Sequence, residues 1–183
     1  VWMFPFYFDP TYVLLIPAIL LAIYAQTRVQ TTFNKYSQIP ARSGMTGAEV
    51  AMALLNSNHI YDVNIEPVHG QLTDYYDPRR KTLNLSEGVY HSTSLAALGV
   101  TAHEVGHAIQ HATGYAPLKV RSAIVPVANI GSNLAFPLLL LGIILGNQKV
   151  AFIGVAAFSL AVLFQLVTLP VEYNASNRAV EAL

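Results

Sequence analysis

No cysteine occurs in the 183 residues, so disulfides and thiolate metal sites are excluded and any metal must be held by His, Asp or Glu. Charge is scarce as well. Asp, Glu, Lys and Arg make up 11% of the chain, roughly half the share usual for a soluble globular domain, whereas apolar residues reach 54%. Ten basic residues balance ten acidic ones, and the longest basic run is Arg79-Arg80-Lys81. Nucleic acid therefore has no electrostatic footprint to bind and is not an expected partner. The N-terminus lacks the Lys or Arg that opens a secretory signal peptide, and no small-residue cleavage site follows its first apolar run. That run reads as a retained anchor, with Met3 as the natural start. Acids are absent from most of the C-terminal half: past Glu104 only Glu172 and Glu181 remain, and no Asp follows Asp77.

What is present is long apolar sequence. Three stretches read as transmembrane helices: Thr11 to Gln26, with Tyr12 and Tyr24 near its ends, then Ala123 to Gly146 and Val150 to Leu169. None carries a charge, and the last two are joined by a short "NQK" turn. Arg28, Lys35, Arg42, Lys119 and Arg121 flank the segment from 27 to 122, whereas nothing basic precedes Thr11. Positive charge stays cytoplasmic, which places the N-terminus outside and the 27–122 segment inside, against the single vote of Lys149. The stretch 170–183 then returns to the cytoplasm. It ends within what reads as a helix, so the chain is expected to continue past Leu183.

The 27–122 segment is the soluble part, of α+β class. "TGAEVAMALLNSNHI" is a helix opened by a capping box, Thr46 with Glu49 three residues on. "VNIEPV", "QLTDYYDPRRKTLNLS" and the turn signal "DPRR" predict a hairpin or a three-stranded sheet. A further helix is expected from about Ser94 to Ala112, with Gly114 beyond it as a stop.

That last helix carries His103-Glu104-Val105-Gly106-His107. Positions i and i+4 share a helix face, so both imidazoles can reach one ion, while Glu104, one position round, stays close to the ion without binding it and can serve as a proton acceptor. The pattern marks zinc peptidases. A catalytic zinc takes three protein ligands and leaves a position for water. His111 completes the stripe 103–107–111, but eight residues of helix put it about 12 Å from His103, too far for one ion. The pattern of Gly three and His six residues past the second histidine fails, because Gln110 and Thr113 stand there. His59, His69 and His91 read as surface or loop residues. Of the two downstream acids, Glu172 follows the third apolar stretch at once and emerges on the side of the histidine helix, so it is the preferred third ligand. Mn or Co would also suit two histidines and a glutamate.

His103-Glu104-x-x-His107 followed by Glu172-x-x-Ala175 resembles the gluzincin membrane peptidases. "MFPFYFDPTYVLLIPAILLAIYAQ", "HEVGHAIQH" and "LPVEYNASNRAVEAL" look like the neutral zinc metallopeptidase family often called YugP-like, over essentially the whole chain. The resemblance implies an integral-membrane zinc endopeptidase, distantly akin to HtpX-type quality-control proteases, in a bacterial plasma membrane. One zinc per chain would be bound by His103, His107 and Glu172, with Glu104 as the base. In gluzincins an Asp often stands four residues past the ligand glutamate and orients a zinc-bound histidine; here that position holds Ser176.

The expected chemistry is peptide-bond hydrolysis in membrane or membrane-associated proteins. The substrate is expected to add a strand beside Leu83, Asn84, Leu85 and Ser86. Tyr75, Tyr76, Tyr90, His91 and Arg178 are chemically able to stabilise the transition state, and the sequence does not choose among them. Asn129, Ser132 and Asn133 within the second apolar stretch, and Gln165 within the third, read as interhelical hydrogen bonders or as the lining of a polar cleft. Two other readings stay open. One is an intramembrane protease of the site-2 type, against which stands the lack of a downstream Asp. The other is a non-enzymatic membrane adaptor or chaperone whose metal is structural. The sequence leaves open a homo-oligomer or a membrane-protein partner.

Overall fold

A computed structural model describes residues 15–183. The elements run in the order α1 (Leu15–Ser37), α2 (Gly47–Ser57), β1 (Asn64–Val68), β2 (Tyr75–Asp77), β3 (Thr82–Ser86), α3 (Glu87–Tyr90), α4 (Leu95–Ala112), α5 (Ala116–Ile144) and α6 (Gln148–Ala182). Local sequence sets the helix starts as expected. Thr46 Oγ1 accepts from the Glu49 amide at 3.3 Å, while Glu49 Oε2 accepts from the Thr46 amide at 2.7 Å. This reciprocal box satisfies amides that the first turn of α2 would otherwise leave unpaired. Ser94 caps α4 by accepting from the Ala97 amide at 3.2 Å.

The three strands form one sheet in the order β1–β3–β2, with β3 parallel to β1 and antiparallel to β2 across the "DPRR" turn. Leu83 and Leu85 of β3 are fully buried. They pack with Ala51 and Leu55 of α2 and with Val105, Ala108 and Ile109 of α4 in the main core cluster. The sheet order corrects one expectation. Leu83, Asn84, Leu85 and Ser86 lie on the central strand, paired on one side along their whole length with β1 and on the other with β2. Where β2 stops, the Asp74 carboxylate takes the Ser86 amide at 2.7 Å and its hydroxyl at 3.0 Å. All of β3 is buried, so this stretch offers no free edge to a substrate.

The opposite side of α4 is covered by α6. Val171, Ala175 and Ala179 are buried at helical spacing and form the contacting stripe. The two helices come so close at Gly106 that a Cβ placed there would stand 2.6 Å from the Ala175 carbonyl oxygen. Only glycine allows that approach. α5 and α6 form an antiparallel hairpin through the turn at Gly146, which takes φ +62°. Its outer surface keeps large apolar side chains exposed, among them Ile130, Phe136, Phe152 and Leu166.

Among the described residues two helices, α5 and α6, are long and apolar enough to cross a membrane, where three apolar spans were expected. The first expected span, Thr11 to Gln26, begins outside the described residues. From Leu15 its residues continue without a break into the polar half of α1, past Arg28 and Lys35 to Ser37. α5 starts at Ala116, so Lys119 and Arg121 ride on the same helix as the apolar stretch after Ala123. α6 likewise runs through Pro170 without ending, and Glu172 stands on the same rod as Val150 to Leu169.

The Gly106 contact gives a paired test. Gly106→Ala should cost about 1–3 kcal/mol by overpacking against Ala175. Gly99→Ala, on the exposed side of the same helix with no atom within 4 Å of its added methyl, should instead stabilise by up to about 1 kcal/mol. Thermal melts of the two variants should move in opposite directions; a harmless Gly106→Ala would mean that α4 and α6 are not in contact there.

Candidate metal centre

α4 places His103 and His107 one turn apart, their rings nearly perpendicular at 87° with centroids 4.9 Å apart. α6 brings Glu172 over the same face. Its Oε2 lies 3.2 Å from His103 Nε2 and 3.4 Å from His107 Nε2. The ligand atoms of the three residues all lie within 4.8 Å of one another, and this is the one such group of His, Asp or Glu among the described residues. The other carboxylate oxygen, Oε1, faces Arg121 Nη2 at 3.6 Å. Arg121 belongs to the second turn of α5, so three helices meet at Glu172.

The outward nitrogens of the two rings show what the inward ones are for. His107 Nδ1 lies 3.0 Å from Gln110 Oε1. The Gln110 amide nitrogen donates to the Val171 carbonyl at 2.8 Å and to Asn174 Oδ1 at 3.0 Å, which fixes the orientation of the amide. Its oxygen must therefore accept, His107 Nδ1 must carry the proton, and the neutral ring aims the Nε2 lone pair at the Glu172 carboxylate. Two acceptors facing each other at 3.4 Å repel unless a cation lies between them or the ring is protonated. His103 Nδ1 lies 3.2 Å from Ser176 Oγ, a hydroxyl able to donate or accept, so the contact positions the ring without choosing its tautomer. The serine that stands where gluzincins often carry Asp thus still meets the histidine. The donor chemistry of the three residues fits a divalent metal such as zinc.

Electrostatics agree with that reading. Glu104 is 9% exposed, and burial pushes its carboxyl up, against the pull of His107 and His103. Burial alone would lower His107, but without a cation between them the ring is favoured as an imidazolium that donates to the Glu172 carboxylate, and this bond with the charge of Glu104 holds it above its ordinary value. Acidic groups are thus concentrated here, answered by the histidines, by Arg121 and, on the cleft wall, by Arg79.

A cleft of about 600 Å³ opens on the site, lined by His103, Glu104, His107 and Glu172. One wall is the stretch Asp74 to Arg79, which includes β2, and the other is the N-terminal half of α5. Tyr75 and Tyr76 line the cleft, but the Tyr76 hydroxyl is engaged with His111 Nδ1 at 2.8 Å. Burial, then Asp62 and Asp77, push that phenol up to about 12, so it stays protonated and ties β2 to α4. His111 therefore takes its place at the end of α4, away from the metal residues. Tyr90 and His91 pack edge-on against each other at 4.8 Å, and Tyr90 lines a separate groove with α2 and β1. Arg178 donates to Asn174 Oδ1 at 2.8 Å. Neither Tyr90, His91 nor Arg178 lines the cleft. His59 bonds the Tyr61 hydroxyl at 3.2 Å, and His69 pairs with Glu87 at 2.9 Å on the exposed surface.

Sequence reasoning missed Gln110 and Arg121. Gln110 is fully buried three residues past His107, and a buried amide at that spacing beside a ligand was the available signal. Arg121 carried none, because its partner arrives from a helix far along the chain.

Residues 11–183 match a family described as "Putative neutral zinc metallopeptidase". The chain is 50% identical over 166 residues to the "Putative membrane protease YugP" of Bacillus subtilis (strain 168), an alignment covering 91% of this chain and 74% of that protein. No solved structure matches.

Two outcomes follow from this geometry. Gln110→Leu removes the acceptor from His107 Nδ1 and should weaken zinc affinity about 10- to 100-fold in a chelator competition. Glu104→Gln should raise the melting temperature of the metal-free protein by a few degrees at neutral pH. The folded carboxyl has the raised pKa, so as pH rises the unfolded chain loses its proton first. Stability then falls from the ordinary carboxylate range upward until the folded Glu104 also ionises, and the deficit persists above that point. In acid below that range the two proteins should converge. Melts in EDTA across pH check this, and a variant no more stable at neutral pH would contradict it.

Proposed function

The chain belongs to the neutral zinc metallopeptidase family, and from that premise we propose that it is a membrane-anchored endopeptidase of gluzincin type, cutting peptide bonds in membrane or membrane-associated proteins. The observation that carries the reading is the His107 ring, locked by Gln110 so that its free lone pair faces the Glu172 carboxylate. His103, His107 and Glu172 would hold the zinc, which when bound would supply Lewis acidity to the scissile carbonyl and to a water. Glu104 lies beside the two histidines on the cleft wall and takes the proton of the attacking water, then returns it to the leaving amine. Its raised pKa suits both halves of that exchange. Arg121 holds the far oxygen of Glu172, leaving the near oxygen to the histidine side.

The extended substrate lies along the side of β2 away from β3, Tyr75–Asp77, which lines the cleft, and not along the central strand. In this reading α5 and α6 span the membrane, and the basic residues around 27–122 support a cleft on the cytoplasmic face. A structural metal in an adaptor would call for a fourth protein ligand, and the site gathers three. The site-2 arrangement is disfavoured because α4 packs between the soluble core and α6 and takes its acid from Glu172.

Elemental analysis of detergent-purified protein, paired with a peptide-cleavage assay, tests the assignment. Wild type should hold one zinc per chain. Glu104→Gln should keep it while losing about 10²- to 10⁴-fold in kcat, and Glu172→Ala should lose most of the metal. Full zinc occupancy in Glu172→Ala would remove Glu172 from the ligand set, and undiminished cleavage by Glu104→Gln would remove the base.

A further inference from the structure

The cleft does not end at the metal residues. It continues along one stripe of α5 formed by Leu118, Ser122, Val125, Pro126 and Asn129. The helix rise places Asn129 about 16 Å from Leu118 along the axis, the length of about five residues of extended chain. The other stripe of α5, with Ala128, Gly131 and Ala135, is buried. The helix therefore turns one face inward and another to the cleft.

Two features of the cleft stripe leave polar groups open to a ligand. Pro126 lies inside the helix and has no N–H to return to the Ser122 carbonyl four residues before it. Both residues line the cleft and are exposed. Asn129 adds an exposed amide, donor and acceptor together, to a helix with no charged residue from Ser122 to Ile144. A carbonyl without its i+4 donor and an amide about two turns (about 10 Å) further on, with Val125 between them, match the backbone of an extended peptide flanked by apolar side chains. The opposite end of the cleft differs, with Asp74, Asp77 and Arg79 on its wall.

We propose that the α5 face carrying Ser122, Val125, Pro126 and Asn129 is a substrate subsite for the extended residues next to the membrane anchor of another polypeptide. The Ser122 carbonyl accepts from a substrate backbone N–H, and the Asn129 amide pairs with a peptide group about three residues further along the extended chain. The scissile bond is then held at a fixed distance from the substrate's own span, while its polar flank leaves past β2. The inference rests on the membrane-peptidase reading and specifies which part of the substrate α5 receives.

The test uses the full zinc-loaded chain carrying Glu104→Gln in phosphatidylethanolamine–phosphatidylglycerol vesicles. The probe is a synthetic peptide joining an extended polar segment to a leucine–alanine transmembrane helix, and the same segment without the helix is the comparison. The anchored probe should bind at least about tenfold more tightly. Pro126→Ala restores the helical hydrogen bond to Ser122 and should weaken binding of the anchored probe about fivefold, the worth of one hydrogen bond. Its melting temperature should nevertheless equal or exceed the parent's, an outcome that structural damage cannot produce. Asn129→Leu should weaken binding similarly, and Pro137→Ala, a proline of the same helix outside the cleft, should leave it unchanged. Equal affinity for the two probes, or full affinity in both Pro126→Ala and Asn129→Leu, would overturn the subsite. Cleavage is scored separately on the chain that retains Glu104. A probe bound as described but never cut supports the subsite and removes the peptidase reading, whereas a probe cut normally by Pro126→Ala and Asn129→Leu does the reverse.

Discussion

The site depends on one close contact between two helices that are far apart in sequence. At Gly106 the backbone of α4 comes within reach of the Ala175 carbonyl, and no side chain lies between them. That approach lets the Gln110 amide reach the Val171 carbonyl and sets Glu172 over the histidines. The motif's middle glycine is thus as much a part of the centre as its histidines, although it binds nothing. Move α6 outward by the width of a methyl group and the carboxylate loses its place opposite both rings.

Charge distribution gives the same picture from another side. The fold buries Glu104 and partly buries Glu172 in a region with few cations, a costly arrangement in an apoprotein. The His107 lone pair that Gln110 turns towards a carboxylate adds to that cost. A divalent ion offsets both, so the folded chain is built around a charge that the polypeptide does not supply. Natural active sites commonly accept such local instability in return for function.

Much of this was legible in the sequence because it is local. The Thr46–Glu49 box, the Ser94 cap and the i, i+4 histidines follow from neighbours in the chain, and all stand where the pattern put them. Glu172 could be reached because acids are so few. What failed was spatial order. "KTLNLS" alternates like an edge strand, and nothing local reveals that β1 crosses over to pair on its far side, leaving β2 at the edge beside the cleft. Arg121 was invisible for a related reason, since its partner lies on a helix brought to it only by tertiary packing, and Gln110 offered no more than its spacing from His107. Nor does the sequence show that apolar and site-bearing stretches share one unbroken helix in α5 and in α6.

The order in which the ribosome makes these parts has its own consequence. Glu172 lies 69 positions after His103, and all of α5 with the first two thirds of α6 is translated between them. A nascent chain that has completed α4 owns two imidazoles and a buried acid but no third ligand. The set becomes whole only after the hairpin has folded back and α6 has docked. Synthesis and arming are thus separate events, and the second waits on the helices that an incompletely inserted chain would lack.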